Sequence, residues 1–277
     1  MSVDTKKQVI KHNILLMLSA LICGCSTITD KNFNSTLWIQ TSSEYKANSI
    51  QIFNNAMEKL EVSISDKNWT AAIEQDNDYS LLPEAIVMDI DQTVLDNSRY
   101  QGELIIQGAD FTNETWDNWI SLRDASGVPG ALSFIKQAKS RNVEIIFISN
   151  RECRSRKDNP SVCPQEMDTI ENLKKLGITE IKPENILLKN EMTGWDSEKK
   201  SRRKYIAEKY RIIMLFGDDL GDFIPDVKKN ISYQRRSALV SEYSDNWGRK
   251  WFIFSNPVYG SWLRVLDDPK MQYIRGY

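Results

Sequence analysis

Ile86-Val87-Met88-Asp89-Ile90-Asp91-Gln92-Thr93-Val94-Leu95 decides the reading of this chain. The apolar run 85–88 is too short for a helix and fits a strand buried on both faces. It ends in two carboxylates that a following turn can aim at one ligand. A carboxylate fixed at a strand end can attack phosphorus. Its neighbour two residues on can serve as acid and base, provided their surroundings separate the two pKa values. Asp89 and Asp91 are therefore the first candidate catalytic pair.

Four further apolar runs have the same character. Residues 143–148, 186–188, 212–216 and 251–254 each predict a buried strand. Helical spacing joins Tyr45, Ile50, Phe53, Met57 and Leu60 within residues 42–65. Pro129-Gly130 opens a helix reaching about residue 141, and a helix over residues 164–176 closes at Gly177. Ser197 can cap another, running to about residue 210. Residues 97–128 break the alternation and carry Trp116 and Trp119. Strands alternating with helices predict an α/β fold, a Rossmann-like three-layer sandwich around a mostly parallel sheet. Residues 97–128, with the N-terminal helical region, form a small, mainly helical cap. Ligands of such sheets bind beyond the carboxyl ends of the strands.

Three more polar groups fall at those ends. Ser149-Asn150-Arg151 follows the second strand, and its hydroxyl, amide and backbone N–H groups suit phosphate oxygens. A lysine in the helix after Ser197 would neutralise a phosphoryl group. Lys200 is the preferred position, with Lys199 adjacent and Lys204 one turn on. Gly217-Asp218-Asp219-Leu220-Gly221-Asp222 ends the fourth strand, and its hard oxygens suit Mg²⁺.

Histidine excludes other chemistry. The one histidine of the chain is His12, so beyond it no Ser-His-Asp triad, phosphohistidine or histidine-ligated metal can form. The formal net charge is −2, and no basic run suggests a nucleic-acid polymer as ligand.

Residues 1–24 read as an exported protein's signal peptide. Lys6, Lys7 and Lys11 precede an apolar stretch at 14–22 that is too short to span a bilayer. Leu21-Ile22-Cys23-Gly24-Cys25 resembles the bacterial lipobox, with Cys25 as the lipidated residue. That makes the membrane a partner only through a lipid anchor, and residues 25–40 a polar tether. Ser26 after the cysteine points to the outer membrane, facing the periplasm or the cell surface. Cys153 and Cys163 then lie in an oxidising compartment, as a disulfide or as two free thiols.

Taken together these clusters resemble the haloacid dehalogenase (HAD) superfamily, in its aspartate-nucleophile phosphatase branch. Within it the chain is most similar to the class C bacterial acid phosphatases, many of them surface lipoproteins. The resemblance covers about residues 37–262 and so places a HAD-like phosphatase domain at 41–277. Besides Asp89 to Ser98 it rests on Phe111 to Trp116 with Trp119, Pro129-Gly130-Ala131, Ser149-Asn150-Arg151, Gly217 to Asp222 and Asn256-Pro257-Val258-Tyr259-Gly260-Ser261-Trp262. It implies that Asp89 is the nucleophile, Asp91 the acid and base, and Ser149, Asn150 and Lys200 the phosphate grip. It also implies a Mg²⁺ held by Asp89, the Asp91 carbonyl and Asp218, with Asp222 on a metal-bound water. Asn97, Trp116 and Tyr259 would contact the substrate, the two aromatics by stacking on a nucleobase. The implied activity is acid phosphatase of the 5′-nucleotidase kind, acting on small phosphate monoesters, with a homodimer as the candidate assembly. A surface lipoprotein with a binding or adhesion role is the competing class.

Overall fold

The computed structural model describes residues 31–76 and 78–277. The signal peptide and Cys25 lie outside the described residues. Five parallel strands form one sheet: β1 Glu84–Met88, β4 Glu144–Glu152, β5 Ile186–Lys189, β6 Arg211–Gly217 and β7 Trp251–Ile253, in the order β5-β4-β1-β6-β7. The ladder aligns Met88 with Phe147 on one side and Phe216 on the other. The chain leaves β1 toward β4 and β5, then returns to the far side of β1 for β6 and β7. That reversal opens a crevice at the carboxyl end of β1, where such sheets bind ligands. Strand pairs β2 Leu95–Asp96 and β3 Ser126–Gly127 make a small antiparallel ribbon beside it.

Side chains alternate across each strand, so the sheet divides two cores. Ile86 and Met88 face one apolar layer with Phe53, Leu60, Phe134 and Leu173. Ala85 and Val87 face the other, with Ile206, Phe223, Leu239 and Trp251. Helices α2 Ser43–Ser65, α5 Ala131–Lys139 and α6 Pro164–Lys175 cover the first face; α7 Lys200–Ala207 and α8 Tyr233–Glu242 cover the second. The expected three-layer sandwich is thus present. Ser42 caps α2 by accepting the Tyr45 N–H at 3.0 Å. At the other end of α2, the buried Arg211 guanidinium donates to the Ser63, Ile64 and Asp66 carbonyls. A cation among the orphan carbonyls of a helix C-terminus opposes the negative end of its dipole.

One region departs from the sequence reading. Residues 33–40, read as part of a polar tether, belong to helix α1 Phe33–Thr41. Its Thr36 and Ile39 are buried, and Gln40 donates to the Ser98 carbonyl at 3.0 Å. Its apolar residues Phe33, Leu37, Trp38 and Ile39 do not fall on a single stripe, so no helical periodicity marks the face that packs. Residues 97–128 hold two cap helices, α3 Ser98–Gln107 and α4 Asn113–Leu122. Among the described residues no helix is long and apolar enough to cross a membrane.

Candidate active site

Asp89 follows β1 directly, and its backbone N–H donates to the Phe216 carbonyl at 2.9 Å, continuing the sheet by one rung. Its Oδ1 accepts from Lys199 Nζ at 2.5 Å. The same ammonium lies 2.6 Å from Asp222 Oδ1. Asp89, Asp218 and Asp222 each bring one carboxylate oxygen within 4.8 Å of the others. Burial pushes Asp89 up to about 6, with Asp222 and Asp91 adding to the rise and Lys199 opposing it. Asp218 is raised well above the ordinary carboxylate range, by burial first and then by Asp89 and Asp222. One lysine does not balance three crowded acids. A divalent cation would, and the oxygen set suits a hard one.

The acid trio is spaced by backbone. A Cβ at Gly217 would come 2.2 Å from the Asp222 carboxylate, so only glycine lets that side chain fold back over the strand end. Asp222 Oδ2 accepts the Asp219 N–H at 2.9 Å. Arg203 is fully buried; it pairs with Glu74 and donates to the Asp222 carbonyl at 2.9 Å. Asn256 donates to Asp218 Oδ2 at 2.7 Å.

Asp91 lives in a different environment. Arg151 donates to Oδ1 at 2.8 and 3.1 Å and to Oδ2 at 3.2 Å. Asn97 Nδ2 donates to Oδ1 at 2.9 Å, and the Ser149 hydroxyl to Oδ2 at 3.3 Å. Its carboxylate stands outside the acid trio, among donors. Two neighbouring carboxylates thus occupy two settings, one crowded by acids and one surrounded by donors.

Several expected residues fall differently in space. Lys199, not Lys200, reaches the site. The helix begins at Lys200, with Lys199 at its N-cap, and not at Ser197. Lys199, Arg202, Arg203 and Ile206 then form the inward stripe at helical spacing, while Lys200 and Lys204 face solvent. The strand β4 does not stop at Ile148 but runs through Glu152, so its alternation sends Ser149 and Arg151 inward and Asn150 outward. Asn150 lines the cavity, but its amide is committed to Arg202 (2.7 Å) and the Ser197 carbonyl (3.1 Å). Asn97 is fully buried, with its amide shared between Asp91 and Trp119 Nε1; it supports the acid and does not face substrate. Sequence reasoning assigned no role to Arg151, although strand alternation from Ser149 marks it. Nothing local marks Arg203, Glu74 or Asn256 as supports of the acids.

The cavity over these groups has a volume of about 870 Å³ and reaches from the acid trio to the cap. Trp116 and Tyr259 both line it. Trp116 packs edge-on against Tyr100 at 5.0 Å, whereas Trp119 is buried and donates to Asn97. The Tyr259 hydroxyl is buried near Asp218; burial first, then Asp218, Asp91 and Asp89, hold it well above the ordinary phenol range. Cys153 and Cys163 are joined in a disulfide. Between them Arg156 grips Asp117 of the cap helix at 2.8 Å through two nitrogens and Asp168 at 2.5 Å.

The family described as HAD superfamily, subfamily IIIB (acid phosphatase), matches residues 23–262. The class C acid phosphatase from Bacillus anthracis is similar at 33% identity over 85% of this chain and 87% of that one, with a TM-score of 0.68. A tungstate-bound structure of the Bacillus anthracis class C acid phosphatase is similar at 29% identity over 90% and 98%, with a TM-score of 0.73. The fold, the strand-end acids and these matches define a phosphoric monoester hydrolase. The chain belongs to the class C acid phosphatases of the HAD superfamily.

Proposed function

We propose that this enzyme is a Mg²⁺-dependent phosphatase that hydrolyses nucleoside 5′-monophosphates through an aspartyl-phosphate intermediate. The observation that carries the reading is the pairing of Asp89 with Lys199 at 2.5 Å, beside an Asp91 held by separate donors. Asp89 attacks phosphorus, forming an O–P bond as the ester P–O bond breaks. Asp91 gives its proton to the departing alcohol oxygen. The same carboxylate then takes a proton from water as that water displaces Asp89, releasing orthophosphate. Lys199 neutralises the phosphoryl oxygens, and the Ser149 hydroxyl, held 3.3 Å from Asp91, offers a further oxygen contact. Asp89, Asp218 and Asp222 would hold the Mg²⁺, with the Asp91 carbonyl; the ion would offset negative charge as nucleophile and phosphate approach. Tungstate is a phosphate-like oxyanion, and its presence in the related enzyme supports the phosphate assignment.

Trp116 on the cap and Tyr259 both line the cavity, which supports an aromatic leaving group. Export, a lipid anchor at Cys25 and outer-membrane placement remain part of the proposal, resting on the N-terminal sequence, and a homodimer is the proposed assembly.

The test is orthophosphate release from nucleotides, sugar phosphates and aryl phosphates at mildly acidic pH. Each is run with Mg²⁺, with chelator and with Asp89→Asn. The variant is expected to lose at least about a thousandfold in kcat, as when a covalent nucleophile is removed. Appreciable turnover by folded Asp89→Asn rejects the nucleophile; undiminished turnover with chelator rejects the metal.

A further inference from the structure

Lys228 is a second buried ammonium in the cavity wall, and the mechanism above leaves it without a role. It is 4% exposed, and its one hydrogen bond among the described residues goes to the Ser197 carbonyl at 2.7 Å. Burial and the nearby Lys199 press its pKa down, while Asp222 and Asp219 oppose that. The route of its side chain is specific. A Cβ on Gly221 would lie 2.0 Å from Lys228 Cε, so the glycine in the Asp218–Asp222 turn leaves the passage through which the lysine reaches Ser197. The Ser197 carbonyl also accepts from Asn150, at the end of β4. It is thus the point where three segments meet: the stretch after the acidic turn, through Lys228, the strand that carries Ser149 and Arg151, and the loop that delivers Lys199 two residues later.

That loop needs such an anchor. Residues 190–199 form turns without a regular ladder, and α7 begins only at Lys200. Lys199 must nevertheless hold its ammonium between Asp89 and Asp222, at 2.5 and 2.6 Å. We propose that Lys228 is a positioning residue for Lys199: with its stem packed against Gly221 of the acidic turn and its ammonium on the Ser197 carbonyl, it sets the distance between the phosphate-side ammonium and the nucleophile. This rests on the reading of Lys199 as the residue that neutralises the phosphoryl group.

The test is a calorimetric titration of the full chain in Mg²⁺ buffer with orthophosphate, on Lys228→Met in two backgrounds, native and Lys199→Met. In the native background Lys228→Met is expected to weaken orthophosphate binding about tenfold, the scale of one charge-assisted hydrogen bond. In the Lys199→Met background the same change is expected to cost less than about twofold, because the group being positioned is gone. Gly221→Ala, which displaces the Lys228 side chain without removing its charge, is expected to reproduce the tenfold loss. It supplies the answer if Lys228→Met does not fold. Equal losses in both backgrounds would mean that Lys228 acts on phosphate independently and would overturn the proposal, as would native affinity in both Lys228→Met and Gly221→Ala. If Lys199→Met alone leaves orthophosphate affinity unchanged, it is the role of Lys199 that fails, and the positioning role falls with it.

Discussion

Asp89 and Asp218 reach the cavity from the ends of β1 and β6, where Ile86 to Met88 and all of Arg211 to Gly217 are buried. Trp116 and Asp117 reach it from the ten-residue cap helix α4, whose outer side is open to solvent. Buried strands fix the floor through backbone hydrogen bonds and packing on both faces. The cap packs through Tyr100 and Trp119 and is further tied by side-chain ion pairs: Arg156 with Asp117 and Asp168, and Arg123 with Asp168 and Glu171. Burial alone would raise Asp117, but the hydrogen bonds from Arg156 and Gln165 outweigh it and hold the carboxyl low. The floor should therefore govern the chemical step, and the cap should govern which leaving groups are accepted.

The largest effect that would sharpen this contrast is at Arg151, which belongs to the floor but touches the cap through Trp116, 5.9 Å from its ring. Arg151→Met is expected to lower kcat about a hundredfold, the scale of misplaced acid–base catalysis. Esters with poor alkyl leaving groups should lose more than p-nitrophenyl phosphate, because only the former need the Asp91 proton. Equal losses across leaving groups would separate Arg151 from Asp91.

Arg156→Ala is expected to act on the cap alone. Truncating one partner of the part-buried cluster leaves Asp117 without its main donor and should cost roughly 1–3 kcal/mol of stability, seen as a lower Tm. It should raise KM for nucleotides several-fold while leaving kcat for a small aryl phosphate near native. A fall in kcat on every substrate would show that the cap shapes the floor. Trp116→Ala is the finer probe. Loss of about 1–2 kcal/mol of stacking predicts roughly tenfold weaker nucleotide turnover, measured as kcat/KM, with little change for glycerol phosphate. Equal losses on both would remove the stacking role.

The smallest effect concerns pH and the metal. Asp89 sits at about 6 in the folded, metal-free protein against an ordinary 3.8. The folded state thus binds the proton more tightly than the unfolded one. Its contribution to stability is full below about 4 and is lost as pH rises through about 6. Thermal melts of chelated protein are expected to shift down by a few degrees across that window. Mg²⁺ should raise Tm more at pH 7 than at pH 4.5. A chelated protein whose Tm rises through this window would contradict the crowded-acid description.

The floor was also the part most legible in the sequence. Each of the five apolar runs became a strand, because a segment buried on both faces leaves little ambiguity in four or five residues. Asp89, Asp91, Ser149 and Asp218 followed from adjacency to those strands. Lys199 did not, because the inward stripe of α7 is cationic. Lys199, Arg202 and Arg203 look like a solvated face until their carboxylate and carbonyl partners are in place. Helix α1 was hidden for a different reason: its apolar residues Phe33, Leu37, Trp38 and Ile39 are spread around the helix and show no apolar stripe.

The sequence by itself determined a parallel α/β sheet, a histidine-free site and the pair of aspartates at the end of the first strand. These depend on local patterns: buried runs, strand ends and residue chemistry. Only the tertiary structure decided that Lys199 meets Asp89, that Arg151 and Asn97 hold Asp91, and that Cys153 pairs with Cys163. Each of those contacts joins segments brought together by strand order and helix register, and the partners of a buried charge are set by where the rest of the chain packs.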